Sequence, residues 1–404
     1  MSKILIVGGG QAGLQLALSL LHHDYDVTLM TARTAEELYY GRAVSVQIMH
    51  DNRLHAEREL GLNLWDDTAP PIKGFTLRSG GGPGIPSFDW TGSFAAPAQS
   101  IDERLKMSVW MSHFEEKGGK LIIHAVTSDD LDGLVPMFDL TIVAAGHSGL
   151  AQMFPVDPDR SPTDTGEIPT AIAYVDDVIE GPDRENIVAE FLPGGSHFVS
   201  VPSYSANGPC RLLYLHGGVS GALDWPRRIT PEEHWDRMLG LLRDEVPHVY
   251  ETYAEAGLAD EKAATFDHAT PLVRRPVAEL PSGGRVLGMG DTLITVSTAL
   301  QQEADNASVS ADRYLEAILD NGDRPFDEDF MQKAFESYYD HARHFCGDLG
   351  RVLHHAAPFA LDAYLKGDTH QAVADRIVRG FEDPADFASW LSTEETARAY
   401  LDGV

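Results

Sequence analysis

Cysteine is almost missing from this chain: Cys210 and Cys346 are the only two in 404 residues. So few exclude a disulfide framework and fit a reducing compartment. Positive charge is scarce as well, with 31 Lys plus Arg against 62 Asp plus Glu and a formal charge of −31. Nucleic acids and anionic membranes are poor partners for such a chain, because their phosphates are repelled rather than neutralised. Long apolar runs are absent too. No stretch approaches the roughly 18 apolar residues of a membrane span, and Met-Ser-Lys leads straight into Ile4-Leu5-Ile6-Val7 with no signal region. A soluble, cytoplasmic protein without nucleic-acid or membrane partners is the expectation. What is present, 43% hydrophobic and 23% charged residues, is globular composition. The length predicts two or three domains.

Residues 3–33 read as strand, turn, helix and strand. Ile4 to Val7 is a continuous apolar run of the kind buried on both faces of a parallel sheet. Residues 70–97 carry five prolines and a Gly80-Gly81-Gly82-Pro83-Gly84 run, which excludes helix and predicts short strands and turns. A helix over 101–117 and strands over 120–124 and 140–145 follow. From 168 to 217 the pattern turns to strands, with Asn207-Gly208 expected as a type I′ hairpin turn. Residues 230–257 read as helical, 285–289 as a strand, and 304–404 as mostly helix.

Gly8-Gly9-Gly10-Gln11-Ala12-Gly13 matches G-x-G-x-x-G between a strand and a helix. Gly8 permits the tight turn, Gly10 clears space for a pyrophosphate, and Gly13 lets the helix pack on the strand. Gln11 and Ala12 begin the helix, whose first amides attract anions. The usual acidic ribose ligand at the end of the second strand is replaced by Thr31-Ala32-Arg33. Thr31 can hydrogen-bond a ribose, and Arg33 can reach a phosphate or stack on adenine. Two further pieces favour FAD over NAD. One is the strand 285–289 ending in Gly290-Asp291, where the aspartate suits a ribityl chain. The other is Leu140-Thr141-Ile142-Val143-Ala144-Ala145-Gly146, whose small Ala145 and Gly146 let the backbone pass near a cofactor. Arg42 and Arg104 are further candidates for the pyrophosphate or ribose.

With Ala96-Pro97-Ala98-Gln99-Ser100-Ile101-Asp102-Glu103-Arg104-Leu105, Val201-Pro202-Ser203-Tyr204-Ser205-Ala206-Asn207-Gly208 and Pro271-Leu272-Val273-Arg274 added, the chain resembles the oxygenase component of styrene and indole monooxygenases. The likeness runs from residue 3 to about 310. It implies an α/β fold: a Rossmann-like FAD-binding domain of the aromatic-hydroxylase type, an inserted antiparallel β-sheet substrate domain and a helical C-terminal region. The FAD domain is expected from 1–50, 98–150 and 270–320, the substrate domain from 51–97 and 151–269, and the helical region from 321–404. The resemblance also implies reduced FAD supplied by a separate NADH-dependent flavin reductase. With O2, a C4a-(hydro)peroxyflavin would then epoxidise or hydroxylate a small apolar aromatic alkene or an indole. No second nucleotide motif is evident, and the length leaves no room for a fused reductase. A homodimer is compatible with the sequence.

One stretch departs from the family. A glycine-glutamine-glycine loop is expected against the flavin, and Gln301-Gln302-Glu303 stands there, so Gln301 and Gln302 become cofactor candidates. Three readings stay open: a rearranged loop that still binds FAD, weak and transient binding, or loss of oxygenase chemistry. An FAD dehydrogenase or reductase without oxygen insertion, and a degenerate non-catalytic paralogue, are the alternatives to the oxygenase. Substrate-pocket residues are expected within a strand at 42–48, with Ser45, Val46 and Gln47 as candidates. No metal site is expected: His341, His344, Cys346, His354 and His355 lack a zinc spacing. Neither Gly146-His147-Ser148-Gly149 nor Gly218-Val219-Ser220-Gly221 fits the G-x-S-x-G nucleophile elbow.

Overall fold

The computed structural model describes all residues except 1, 83, 164–165, 180, 218–221, 227, 347 and 355–356. Gly218-Val219-Ser220-Gly221 and His355 therefore lie outside the described residues. Among those described, no helix is long and apolar enough to cross a membrane.

The apolar runs read from the sequence form a six-stranded sheet in the order Val277–Glu279, Arg285–Gly288, Leu140–Val143, Lys3–Val7, Asp26–Thr31, Lys120–Ile123. All neighbours are parallel except the edge hairpin of Val277–Glu279 with Arg285–Gly288. Ile4 to Val7 are buried, as in a strand enclosed on both faces, with helix Gln11–His22 packed on one side. Helix Gln11–His22 lies between this sheet and the long helix Glu303–Asn321.

A second, eight-stranded sheet is built from residues 72–98 and 168–269. Its pairings are antiparallel but for Ile72–Gly82 beside Asn186–Phe191, which is parallel. Alternation along Gly208–His216 sends Leu213 and Leu215 to one core, against Trp235 and Met238 of helix Pro231–Glu245. Leu212 and Tyr214 go to the other, which is continuous with the first sheet's core.

Three local expectations are corrected. Residues 72–98 form two long strands, Ile72–Gly82 and Ile85–Ala98, rather than short pieces. Pro97 is tolerated because Ile85–Ala98 is the sheet edge, where an outward N–H belongs to no ladder, and Pro86 stands beside the hairpin turn at the strand's first residues. The hairpin at 205–208 turns through Ala206 and Asn207, and only Gly208 takes a positive φ, 109°. The helical stretch 230–257 is broken into Pro231–Glu245 and Pro247–Tyr253, since Pro247 lacks the N–H to continue the first helix.

The C-terminal helices cover that edge strand. Carboxylates spaced seven residues apart accept its outward amides: Asp89 N–H donates to Asp368 (3.0 Å), Ser93 N–H to Asp375 (2.9 Å) and Ala95 N–H to Glu382 (2.9 Å). An open edge would otherwise template association with another chain. Replacing Asp368, Asp375 and Glu382 together by Ala should remove about 0.5–1.5 kcal/mol per bond. The triple variant is expected to melt earlier and to scatter light in a concentration-dependent way. Wild-type melting with no scattering would show that these carboxylates do not guard the edge.

Candidate active site

The carboxyl ends of the parallel strands open into one elongated cleft of about 870 Å³, within the ~300–1,000 Å³ range of cofactor sites. One end is lined by Thr31, Ala32 and Arg33 with His124–Ser128, numbers 124–128 of the chain. Its middle is formed by Gly8, Gly9 and Gly10, facing Ala144 to Gly146 and Asp291. The other end lies between the two sheets, at Thr170, Ile172, Asp267, Thr295, Thr298 and Glu303.

The glycines are there for steric reasons. A Cβ on Gly8 would lie 1.9 Å from the Ala144 carbonyl oxygen, and one on Gly13 would lie 2.1 Å from that of Gly8. Gly8 also holds a φ of 132°, which L residues rarely adopt. Gly10 differs: a Cβ there meets nothing nearer than Glu103 Oε1, at 3.7 Å. Its missing side chain serves the cleft and not the packing. Gly290, at φ 58°, itself packs on the helix start: a Cβ there would lie 3.1 Å from that of Ala12.

Thr31, Arg33, Arg42, Ala145, Gly146, Asp291, Ser45 and Val46 line the cleft as well. Several expected contacts are placed differently. The Gln11 side chain turns away into a buried network, donating to Gln15 and to Glu57, which Lys106 neutralises at 2.5 Å. Arg104 borders the cleft, but its N–H groups go to Asp102, Asp260 and the Gly41 carbonyl. A guanidinium has five such donors, so none is left for a phosphate. Arg42 donates to the carbonyls of Ala264 and Ile229. Gln302 donates to the Phe381 carbonyl at 3.0 Å, away from the cleft. Gln301 takes a φ of 55°. It keeps the left-handed backbone a glycine favours and faces a different cavity. Residues 42–48 form no regular strand, although the Ala43 amide donates to the Lys262 carbonyl at 3.0 Å.

Glu103 is the residue the sequence reading passed over, although it stands inside the Asp102-Glu103-Arg104 stretch. It receives hydrogen bonds from Ser45 and from Gln47, which also donates to Ser45 at 2.9 Å. Beside the exposed Asp267, three half-buried carboxyls thus face one cleft: Glu103, Asp291 and Glu303. Burial raises the pKa of each. The Ser45 hydroxyl opposes this at Glu103, and His147 opposes it at Asp291. Glu303 is pushed up to about 8 by burial, helped by the Asp291 charge.

Behind residue 301 lies a chamber of about 60 Å³ walled by Phe75, Trp90, Phe191, Tyr364, Phe381 and Phe387, with Gln301 on its rim. Among the described residues, no three metal-ligating side chains converge. His341 and His344 instead border a separate hollow with Arg53 and Arg313. Cys346 is buried, its thiol pushed up to about 12 by desolvation.

The open space at Gly10 gives a clean test. Gly10→Val should leave stability within about 0.5 kcal/mol, as for other substitutions that disturb no packing. The same change should weaken dinucleotide binding more than tenfold in a fluorescence titration. Unaltered binding would mean that the pyrophosphate does not lie there.

Known proteins resemble this chain at two levels. Residues 146–252 match the family model of the styrene monooxygenase A substrate-binding domain. The styrene monooxygenase StyA of Pseudomonas fluorescens is 30% identical over 78% of this chain and 77% of its own length. The StyA of a Pseudomonas species is 31% identical with the same coverage. Among solved structures, a flavoprotein/dehydrogenase from Cytophaga hutchinsonii superposes with a TM-score of 0.71 at 13% identity, over 99% of both chains. The flavin-dependent brominase Bmp2 gives 0.70 at 12% identity, over 100% of this chain and 98% of its own. Those structural likenesses establish the fold, and the identity and coverage of the two StyA proteins establish more: the chain belongs to the styrene monooxygenase family of flavoprotein oxygenases.

Proposed function

We propose that this protein is the oxygenase component of a two-component monooxygenase. It would take reduced FAD from a separate NADH-dependent flavin reductase and use O2 to epoxidise or hydroxylate a small apolar aromatic alkene or an indole. The observation that carries this is the loop 298–303, which borders the dinucleotide cleft through Thr298 and Glu303 and the aromatic chamber through Gln301. A redox cofactor and an apolar ring are thereby brought to opposite sides of one short segment.

The cleft fits FAD. Adenosine suits the end at Thr31, Arg33 and His124, and the pyrophosphate suits Gly8 to Gly10 at the first amides of helix Gln11–His22. Asp291 and the small residues Ala145 and Gly146 suit a ribityl chain, which leaves the isoalloxazine to the inter-sheet end. Bound reduced FAD supplies the oxygen-activating chemistry. The chain's residues supply position and dryness. Val46, Met153, Ile172 and Val296 present apolar surface to the flavin arm and keep water from it. Ser45 and Gln47 hold Glu103, so Val46 is the member of that trio left to touch a ring. At about 60 Å³ the chamber is smaller than the ~150 Å³ cavity known to take benzene, so its aromatic walls would have to part to admit a substrate ring, with Gln301 between that ring and the cofactor. No nucleophile or acid–base dyad is called for.

One observation favours a different reading, a chain that has lost flavin binding: four carboxyls line the cleft, and Glu103 Oε1 stands beside Gly10. The two readings separate in one assay. Supplied with FAD, an unrelated flavin reductase and NADH, the protein is expected to convert styrene to its oxide or indole to a blue pigment. No oxygenated product from aryl alkenes, indoles or thioethers, despite confirmed binding of reduced FAD, would sink the oxygenase assignment.

A further inference from the structure

The acid that commonly ends the second strand of a dinucleotide fold, where it takes a ribose hydroxyl, is missing here, and Thr31-Ala32-Arg33 stands in its place. A carboxyl reaches the same cleft from another element. Glu103 is the first residue of helix Glu103–Glu116, whose start is capped by Asp102 accepting the Arg104 amide at 2.9 Å. Arg104 is spent on Asp102 and Asp260, while the half-buried Glu103 lines the cleft with nothing basic paired to it.

The two oxygens of Glu103 differ. Oε2 receives the Ser45 hydroxyl and, at 3.5 Å, the Gln47 amide, which also donates to Ser45 at 2.9 Å. These donors fix the orientation of the carboxyl. Oε1 lies 3.7 Å from the point where a Gly10 side chain would begin. Among the described residues Oε1 has no hydrogen-bond partner, and it is not sealed from solvent. Gly10 is where the pyrophosphate is assigned, and a pyrophosphate carries only acceptors, so it offers this oxygen repulsion and no bond. The parts of FAD that carry O–H donors flank the pyrophosphate on both sides: the adenosine ribose and the ribityl chain. Arg33, towards the adenosine end, and Asp291, towards the ribityl end, both act on the Glu103 charge, which suits a position between the two sugars.

We propose, resting on the FAD assignment, that Glu103 is a cofactor-binding residue whose Oε1 accepts a hydrogen bond from a sugar hydroxyl of FAD beside the pyrophosphate. It takes over, from a helix start, the task that the absent strand-end acid has elsewhere. The oxygen accepts whether the carboxyl is ionised or neutral, since a protonated carboxyl keeps acceptor capacity. No proton or electron moves. Ser45 and Gln47 then act as positioning residues that hold the acceptor, and the segment that carries Val46 is tied through Glu103 to the bound cofactor.

The test is an anaerobic titration of wild type, Glu103→Leu, Glu103→Gln and Ser45→Ala with reduced and with oxidised FAD at neutral pH, with ADP and FMN as competing probes and melting temperatures recorded alongside. Glu103→Leu removes the acceptor and is expected to weaken FAD binding by about ten- to a hundredfold, the scale of one hydrogen bond to a charged group. Glu103→Gln keeps an acceptor oxygen and should recover most of that loss. Ser45→Ala leaves the carboxyl present but less firmly held, and should weaken FAD by a smaller factor. ADP and FMN identify the hydroxyl: a loss in Glu103→Leu that ADP shares and FMN does not assigns the ribose, and the converse assigns the ribityl chain. A carboxyl that only repels the cofactor would make Glu103→Leu and Glu103→Gln both bind FAD more tightly. That result, or an affinity unchanged in Glu103→Leu, overturns the inference and leaves the FAD assignment standing. If Glu103→Leu does not fold, unchanged affinity in Ser45→Ala overturns it instead. Absence of FAD binding by folded wild type overturns both.

Discussion

The backbone of Gly8 lies so close to the carbonyl of Ala144 that a methyl group would stand 1.9 Å from its oxygen. Much of the molecule is arranged around that contact. It draws strands Lys3–Val7 and Leu140–Val143 together where they end, with the Gly8 amide bonded to Met30 at 2.8 Å on the other side. Gly13 then meets Gly8 from the first turn of helix Gln11–His22, so the helix must start over the sheet's edge with its amides facing the cleft. The helix is held from behind by buried polar groups: Gln11 on Glu57, Glu57 on Lys106, and Gln15 on Ser308 and Asp312. Such a buried ion pair adds little net stability, but loss of either partner strands a charge at a cost of about 3–5 kcal/mol. It fixes where Gly10 and Gly290 lie, and with them the floor of the cleft.

Within that frame the electrostatics are unusual for a site meant to take two phosphates. The net charge of −31 is spread over the chain, yet three half-buried carboxyls, Glu103, Asp291 and Glu303, line the cleft beside the exposed Asp267, and Arg104 is committed to Asp102 and Asp260. Burial lessens the conflict: it raises the pKa of all three and pushes Glu303 up to about 8.

How much of this was legible in the sequence varies with the physical origin of each feature. The placement of Gly8, Gly10, Gly13 and Asp291 around the cleft could be read because it is set by local spacing: a turn, a close approach, the end of a strand. The two sheets and the helical tail were legible from hydrophobic period. Side-chain direction was not. Gln11, Arg104 and Gln302 occupy positions beside the cofactor in the chain, but each is turned by a partner remote in sequence: Glu57, Asp260 and the Phe381 carbonyl. The long edge hairpin at 72–98 was hidden for the same reason. Its prolines argue against strands until one knows that Ile85–Ala98 is an edge guarded by carboxylates about 280 residues away. At Gln301 the chain keeps a left-handed backbone without glycine, which no local rule predicts.

The central claim is spatial: FAD runs along the cleft with its flavin beside loop 298–303, one wall away from the aromatic chamber. A crystal structure of the protein grown anaerobically with reduced FAD tests it most directly. The account predicts adenine near Thr31 and Arg33, pyrophosphate over Gly10, and the isoalloxazine between Asp291 and Glu303 with an edge towards Gln301. Adenine at the inter-sheet end, or a flavin bound outside the cleft, would contradict it.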